Sequence, residues 1–292
     1  MKSLRRIIQT LALLAFGATA ALAQTGNTVY NHIPTPFPHN YPSLGYQATS
    51  TSEFGDYIIL AGTDRLAATA TVGMSAWAKH STYPTMPAAG WSHPITLNIY
   101  AVDNSGTNPA VGALLGSVTQ TFLIPWRPEA DPTCPFGGTA WRAGDGNCYN
   151  GLAFKITFDL RSLALTLPDE LIFGIAYNTN TWGYDPIGAP GPYESLNVGL
   201  DTGPATVGLD VEPDALFWNT KFGPFYSDGG AGGVGTFRRD DGWAPYSPAF
   251  QLTAVTSNGD FCKNGGWKTI NRTDATPFKN QGDCVSYMKN GK

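Results

Sequence analysis

Charged residues are scarce in this 292-residue chain, at 14% against roughly a quarter in ordinary soluble proteins. Sustained 3.6-residue periods with end caps are missing too, which excludes a helical bundle. After the first residues no stretch is apolar for long enough to cross a bilayer as a helix. The four cysteines form no C-x-x-C pair, so neither a redox motif nor a cysteine zinc site has support. His32, His39, His80 and His93 show no H-E-x-x-H spacing. They are expected as exposed loop or strand-end residues, not as metal ligands. No cofactor is expected. Gly230, Gly232 and Gly235 spell G-x-G-x-x-G, but "FYSDGG" before and "FRRDDGW" after supply neither the strand nor the helix that a dinucleotide site needs. "GMSAW" misses the nucleophile elbow, with Trp77 in place of the second glycine and a strand pattern around it.

What is abundant points to β structure. Glycine (34) and proline (22) supply turns. Alternation dominates between them. In "LAFKITFDL" Phe154, Ile156, Phe158 and Leu160 share one face, with Lys155, Thr157 and Asp159 on the other. "ITLNIYAV", "ATATVGMSAWA", "LLGSVTQTFLI", "LIFGIAYN", "ESLNVGL", "ALFWNT" and "AFQLTAV" are further strands. "AVDNSGTNPAVG" joins two of them as a hairpin or short loop. The expected fold is all-β: a β-sandwich of jelly-roll type with long loops, over residues 24–255, with a barrel as the alternative. Ile33 to Ser43 is a proline-rich extended arm. "PWRPEADPTCPFGGTAWRAGDGNCYNG" and the glycine-rich "FGPFYSDGGAGGVGTFRRDDGWAPYSP" are the long loops where function is expected.

The two ends carry separate messages. Lys2, Arg5 and Arg6, the apolar run Ile7 to Phe16 and Ala21-Leu22-Ala23 form a signal peptide over residues 1–23, cleaved after Ala23. The product is expected outside the cytoplasm, secreted or surface-associated. There the even cysteine count implies disulfides. Three pairings are possible, and proximity favours Cys134–Cys148 and Cys262–Cys284. A loop near 15 residues is worth about 3 kcal/mol in the chain-entropy model. Residues 256–292 form a basic, disulfide-closed tail. From Phe261 onward six basic residues face two acids, while the chain as a whole is −4. The acidic body argues against nucleic acid as a partner. The tail is a staple on a loose end, a self-docking segment, or an anchor in which Lys263, Lys268, Arg272 and Lys279 meet an anionic cell envelope.

"LGYQATSTSEFGDYIILAGTDR", "ITLNIYAVDN", "IPWRPEADPT" and "LPDELIFGIAYNT" resemble a recurrent type of bacterial secreted β-sandwich protein without assigned activity. Some of these resemble exosortase-sorted surface proteins. The likeness covers most of Val29 to Val255, but the Pro-Glu-Pro sorting pattern is lacking. "CKNGGWKTI" with "FKNQGDCVSY" resembles a short terminal motif found on otherwise unrelated secreted bacterial proteins. These likenesses imply an extracellular module and transfer no catalytic residue.

Two site chemistries remain open. Trp141, Trp182, Tyr184, Trp243 and Tyr246, beside glycine or proline in loops, are candidates for a sugar platform. Asp240 and Asp241 beside Trp243, with Asp228 upstream, and Glu129 with Asp131 are candidate carboxylate pairs for glycoside hydrolysis. The leading expectation is a non-enzymatic binding protein for polysaccharide or cell envelope. The rivals are a carbohydrate-active hydrolase using those loop carboxylates and a structural matrix component.

Overall fold

The computed structural model describes residues 26–135, 138–256, 258–272 and 275–290. The expected signal peptide and its cleavage site lie outside the described residues. Among the described residues sixteen strands run in chain order. They are β1 (Asn27–Asn31), β2 (Ser43–Gly45), β3 (Thr51–Ile59), β4 (Leu66–Ala76), β5 (Trp91–Asp103), β6 (Ala110–Ile124), β7 (Trp141–Arg142) and β8 (Cys148–Tyr149). Then come β9 (Leu152–Asp159), β10 (Glu170–Ala176), β11 (Leu196–Asp201), β12 (Leu209–Asp210), β13 (Ala215–Thr220), β14 (Arg238–Asp241), β15 (Ser247–Pro248) and β16 (Phe250–Val255).

Two antiparallel sheets carry the fold. In the first, β4 is flanked by β9 on one edge, and by β16 and then β11 end to end on the other. Beyond them, β1 pairs β16, and β2 and β15 pair β11. The second runs β14-β13-β3-β10-β5-β6, with β12 on the end of β3. Their inner faces meet in one core, where Phe173 of the second sheet stacks on Phe250 of the first at 3.8 Å between ring centroids. Alternation puts Ala70, Val72, Met74 and Ala76 of β4 into this core, with Ile156 and Phe158 of β9. Each large apolar side chain buried this way contributes about 1.5–3 kcal/mol. The all-β expectation thus holds.

The second sheet curls until its edge strands, β6 and β14, touch. The outer face is therefore concave and partly filled. Tyr57, Ile172 and Phe217 form a small second core there, under Tyr100 and Phe237. Glu53 is fully buried on the same face. Its carboxylate accepts from Asn98 Nδ2 at 2.8 Å, from Tyr100 Oη at 2.9 Å, and from the Tyr184 hydroxyl.

Some elements depart from expectation. β3, at the centre of the second sheet, is buried on both faces, so its Glu53 and Asp56 disguise it as a polar stretch. The glycine-rich loop contains a strand, β14, paired to β13 from Ala215 opposite Asp241 to Trp218 opposite Arg238. The tail contains a helix, α1 (Gln281–Asn290). His32 and His93 are buried, against their expected exposure, the ring of His93 lying between Tyr177 and Tyr193.

Both disulfides join the neighbours in sequence, Cys134–Cys148 and Cys262–Cys284. The second closes a small core of Phe278, Trp267 and Tyr287. The tail docks on the body, where Phe261 is buried against Leu66, Ala68 and Val255, with Ile270 beside it. Among the described residues no helix is long and apolar enough to cross a membrane.

Candidate functional site

The open groove that best combines an aromatic ring with convergent polar groups lies at the end of the first sheet, beside β2 and β11. It encloses about 560 Å3. Its construction starts from two glycines. Gly73 in β4 and Gly199 in β11 leave the space that the Tyr41 ring occupies. A Cβ at either position would stand 3.0 Å or 2.6 Å from that ring. Tyr41 is thereby drawn down at the end of the proline-rich arm, and its hydroxyl is buried without a hydrogen-bond partner. Burial, then the charge of Asp201, pushes the phenol pKa upward, so it stays a neutral hydroxyl.

Trp77 forms the opposite wall. It directly follows β4, held by its backbone N–H to Ser195 O at 2.9 Å. Its indole Nε1 donates to Ser75 Oγ at 3.1 Å, and Ser75 Oγ donates to Asn40 Oδ1 at 2.8 Å. The ring is thus pinned by its edge while 42% of the residue stays exposed. Glu194, Asn197 and Ser43 complete the polar side. Asn197 Nδ2 donates to Ser43 Oγ at 3.0 Å, and Asn180 Nδ2 donates to Glu194 Oε2 at 3.1 Å. The arrangement offers a flat apolar face next to a carboxylate, an amide and hydroxyls.

The aromatic residues expected as a platform do not gather there. Trp141 is buried, donating through Nε1 to Gly151 O at 2.8 Å. Trp243 packs on Phe54 and Trp218 as a lid on the core. Trp182 is half-buried in its loop, and its carbonyl accepts from Thr179 N at 2.7 Å. Tyr246 is exposed at a turn closed on Trp243 O. Tyr184 keeps an exposed ring, but its hydroxyl is bound to Glu53 at the mouth of the concave face.

The candidate acids are tied into the scaffold. Asp240 and Asp241 are consecutive in a strand, so they point to opposite faces. Asp240 is buried and accepts from Ser227 N, Ser227 Oγ and Trp243 Nε1. Asp241 pairs with Arg239 at 2.6 Å. Asp228 pairs with Arg238 and accepts from Gly230 N and Gly232 N, which draws its pKa down to about 2. Glu129 accepts from Ser81, and Asp131 pairs with Arg142 at 2.9 Å. Hydrogen bonds from Ser81 to Glu129, and from Thr133 and then Arg142 to Asp131, hold both carboxyls below the usual range. Asp228, Glu129 and Asp131 are thus shifted opposite to the raised pKa that a general acid requires.

Among the tail's bases, Arg272 is committed to Asp283 at 2.6 Å and to Pro277 O at 2.8 Å, over the Phe278 ring. Lys263 pairs with Asp260, and Lys268 lies over the Trp267 ring. Lys279 is exposed. Among the described residues no group of three or more His, Cys, Asp or Glu is placed to hold a metal ion.

Sequence reasoning missed the groove because Trp77 and Glu194 are 117 positions apart. The "ATATVGMSAWA" alternation, which sets Trp77 on the face opposite Ala70, Val72 and Met74, and "ESLNVGL", which holds Glu194 and Asn197, were its traces in the sequence. No protein-family profile, curated protein or solved structure matches this chain.

Proposed function

We propose that this protein is an extracellular binding module for polysaccharide, with the Trp77 groove as its saccharide site. The observation that carries the reading is the edge-pinned, exposed Trp77, which lines one groove together with Glu194 and Asn197. A sugar ring has an apolar C–H face and polar edges, so it stacks on an indole while its hydroxyls meet the amide and carboxylate. Two disulfides support an oxidising compartment. The strand order β1-β16-β4-β9 against β3-β10-β5-β6 supports reading the sandwich as a jelly roll, two Greek keys with β11 to β15 inserted before the last strand.

Binding is favoured over hydrolysis, because Glu194 is the groove's single carboxylate and glycoside cleavage takes two flanking the bond. The tail is read as a cap that seals Leu66 and Val255, with exposed Lys279 left for an anionic envelope.

The test is retention on a polysaccharide panel, followed by tryptophan fluorescence titration of the glycan retained. Trp77→Ala and Asn197→Ala should each weaken binding at least tenfold, with the thermal midpoint kept. Retention unchanged in Trp77→Ala would refute the groove assignment. A version ending at Val255 and a high-salt wash separate tail from body. Salt-sensitive retention lost with the tail would assign binding to the tail instead.

A further inference from the structure

A second concavity, of about 350 Å3, opens between the β11–β12 connection and the turn before β15. Pro204, Leu209, Pro213 and Pro245 make its walls apolar, and Leu209 is 61% exposed at the rim. Its single ionisable lining residue is Asp210. Ser247 Oγ donates to Asp210 Oδ2 at 2.6 Å. Asp210 Oδ1 is buried without a donor, and among the described residues no Lys, Arg or His pairs with this carboxylate. A carboxylate has about four acceptor positions; Oδ1 is closed to solvent, so a donor from the cleft is left with Oδ2, beside the Ser247 bond.

A second acid lies behind it. Asp210 in β12 stands opposite Ile58 in β3. Asp56, two residues along β3, projects from the same face, which makes the two aspartates diagonal cross-strand neighbours. Asp56 is 2% exposed, and its Oδ2 also lacks a donor. Asp201 in β11 adds a third carboxylate opposite Ser247 on β15. Apolar walls around the Asp210 charge focus its field into the cleft.

We infer that this cleft is a recognition site for an organic cation, an ammonium or guanidinium group on an apolar stem, with Asp210 as the charge partner. An N–H donor entering from solvent meets Asp210 Oδ2, the oxygen shared with Ser247 Oγ, while the stem covers Leu209 and the prolines. A divalent metal fits poorly, since it takes several oxygen ligands in one shell and the walls offer one carboxylate among apolar side chains. A lysine or arginine side chain of another protein and a free organic amine share this chemistry.

The experiment is a nuclear magnetic resonance titration of the mature, disulfide-bonded protein. The probes are n-butylammonium, n-butylguanidinium and capped lysine amide, with n-butanol and calcium chloride as controls. The expected result is saturable shifts at the amides of Leu209, Asp210 and Ser247. A dissociation constant on the order of 1 mM suits one charge-assisted contact and a short stem. Asp210→Asn should weaken binding at least tenfold, and Leu209→Ala about threefold. Tighter binding of capped lysine assigns the site to a protein side chain, and tighter binding of the alkylammonium to a small amine. The inference is overturned by equal binding of butanol, by saturation with calcium alone, or by shifts that fall elsewhere. If Asp210→Asn fails to fold, the wild-type shift map and Leu209→Ala still decide.

Discussion

The carboxylate of Glu53 occupies the space above Gly174 where any other residue would place its Cβ. A buried charge at the centre of a sheet needs both room and donors. Gly174 gives the room, and Asn98, Tyr100 and Tyr184 give the donors.

Gly174→Ala therefore pushes the Glu53 carboxylate off Asn98 and Tyr100. Overpacking of this kind costs about 1–3 kcal/mol, and the displaced acceptor adds to it. Urea unfolding should show a lower midpoint. An unchanged midpoint would mean that Glu53 has another way to lie.

Asp56 predicts a pH dependence on the neutral side. Burial, followed by the charge of Asp210, raises its pKa well above the ordinary carboxylate value. An unfolded aspartate titrates at about 3.9, and each tenfold gain in proton affinity on folding is worth about 1.4 kcal/mol. Below about pH 4 both states hold the proton and the contribution is fully present. As pH rises toward the folded pKa, only the unfolded chain releases its proton, so stability falls. Asp56→Asn removes that decline. Its advantage over the parent should grow from pH 4 to pH 7 in urea midpoints. Parallel pH profiles would contradict the raised pKa.

His93 acts on the acid side. Burial pushes its imidazole down to about 4, against about 6.5 in the unfolded chain. Its contribution is present above about 6.5 and is lost as pH falls through 4. The full loss is about 3 kcal/mol, from about 1.4 kcal/mol for each tenfold difference in proton affinity. His93→Phe keeps a ring beside Tyr177 and Tyr193 but does not titrate. Thermal midpoints of this variant should vary less between pH 6.5 and 4 than those of the parent. An equally steep fall would place acid sensitivity elsewhere.

The tail yields a prediction about local unfolding. Its core is small and the Cys262–Cys284 bridge closes it across 22 positions, a constraint worth about 3 kcal/mol. Cys262→Ser with Cys284→Ser should open the tail while the sandwich stays folded. Trypsin would then cut at Lys268 and Lys279 well before the body is attacked. Resistance equal to that of the parent would show that docking of Phe261 on Leu66 and Val255 suffices.

Strand content was legible wherever one face of a strand meets the core and the other meets water, as in β9, because alternation follows burial. Glycine and proline counts limited helix, and the short cysteine spacings favoured the pairs that form. β3 escaped because a strand covered on both sides has no alternating face. The fate of the candidate residues was decided only in three dimensions. Asp240 and Trp243 look like an acid beside a sugar-binding ring, but they bond to each other at 2.7 Å. Trp77, Glu194 and Asn197 meet because β4 and β11 pair from Ala76 opposite Leu196 onward. Composition and periodicity are local properties of the chain, and they determined the all-β class. Convergence of side chains depends on strand order and sheet curl, which long-range packing sets.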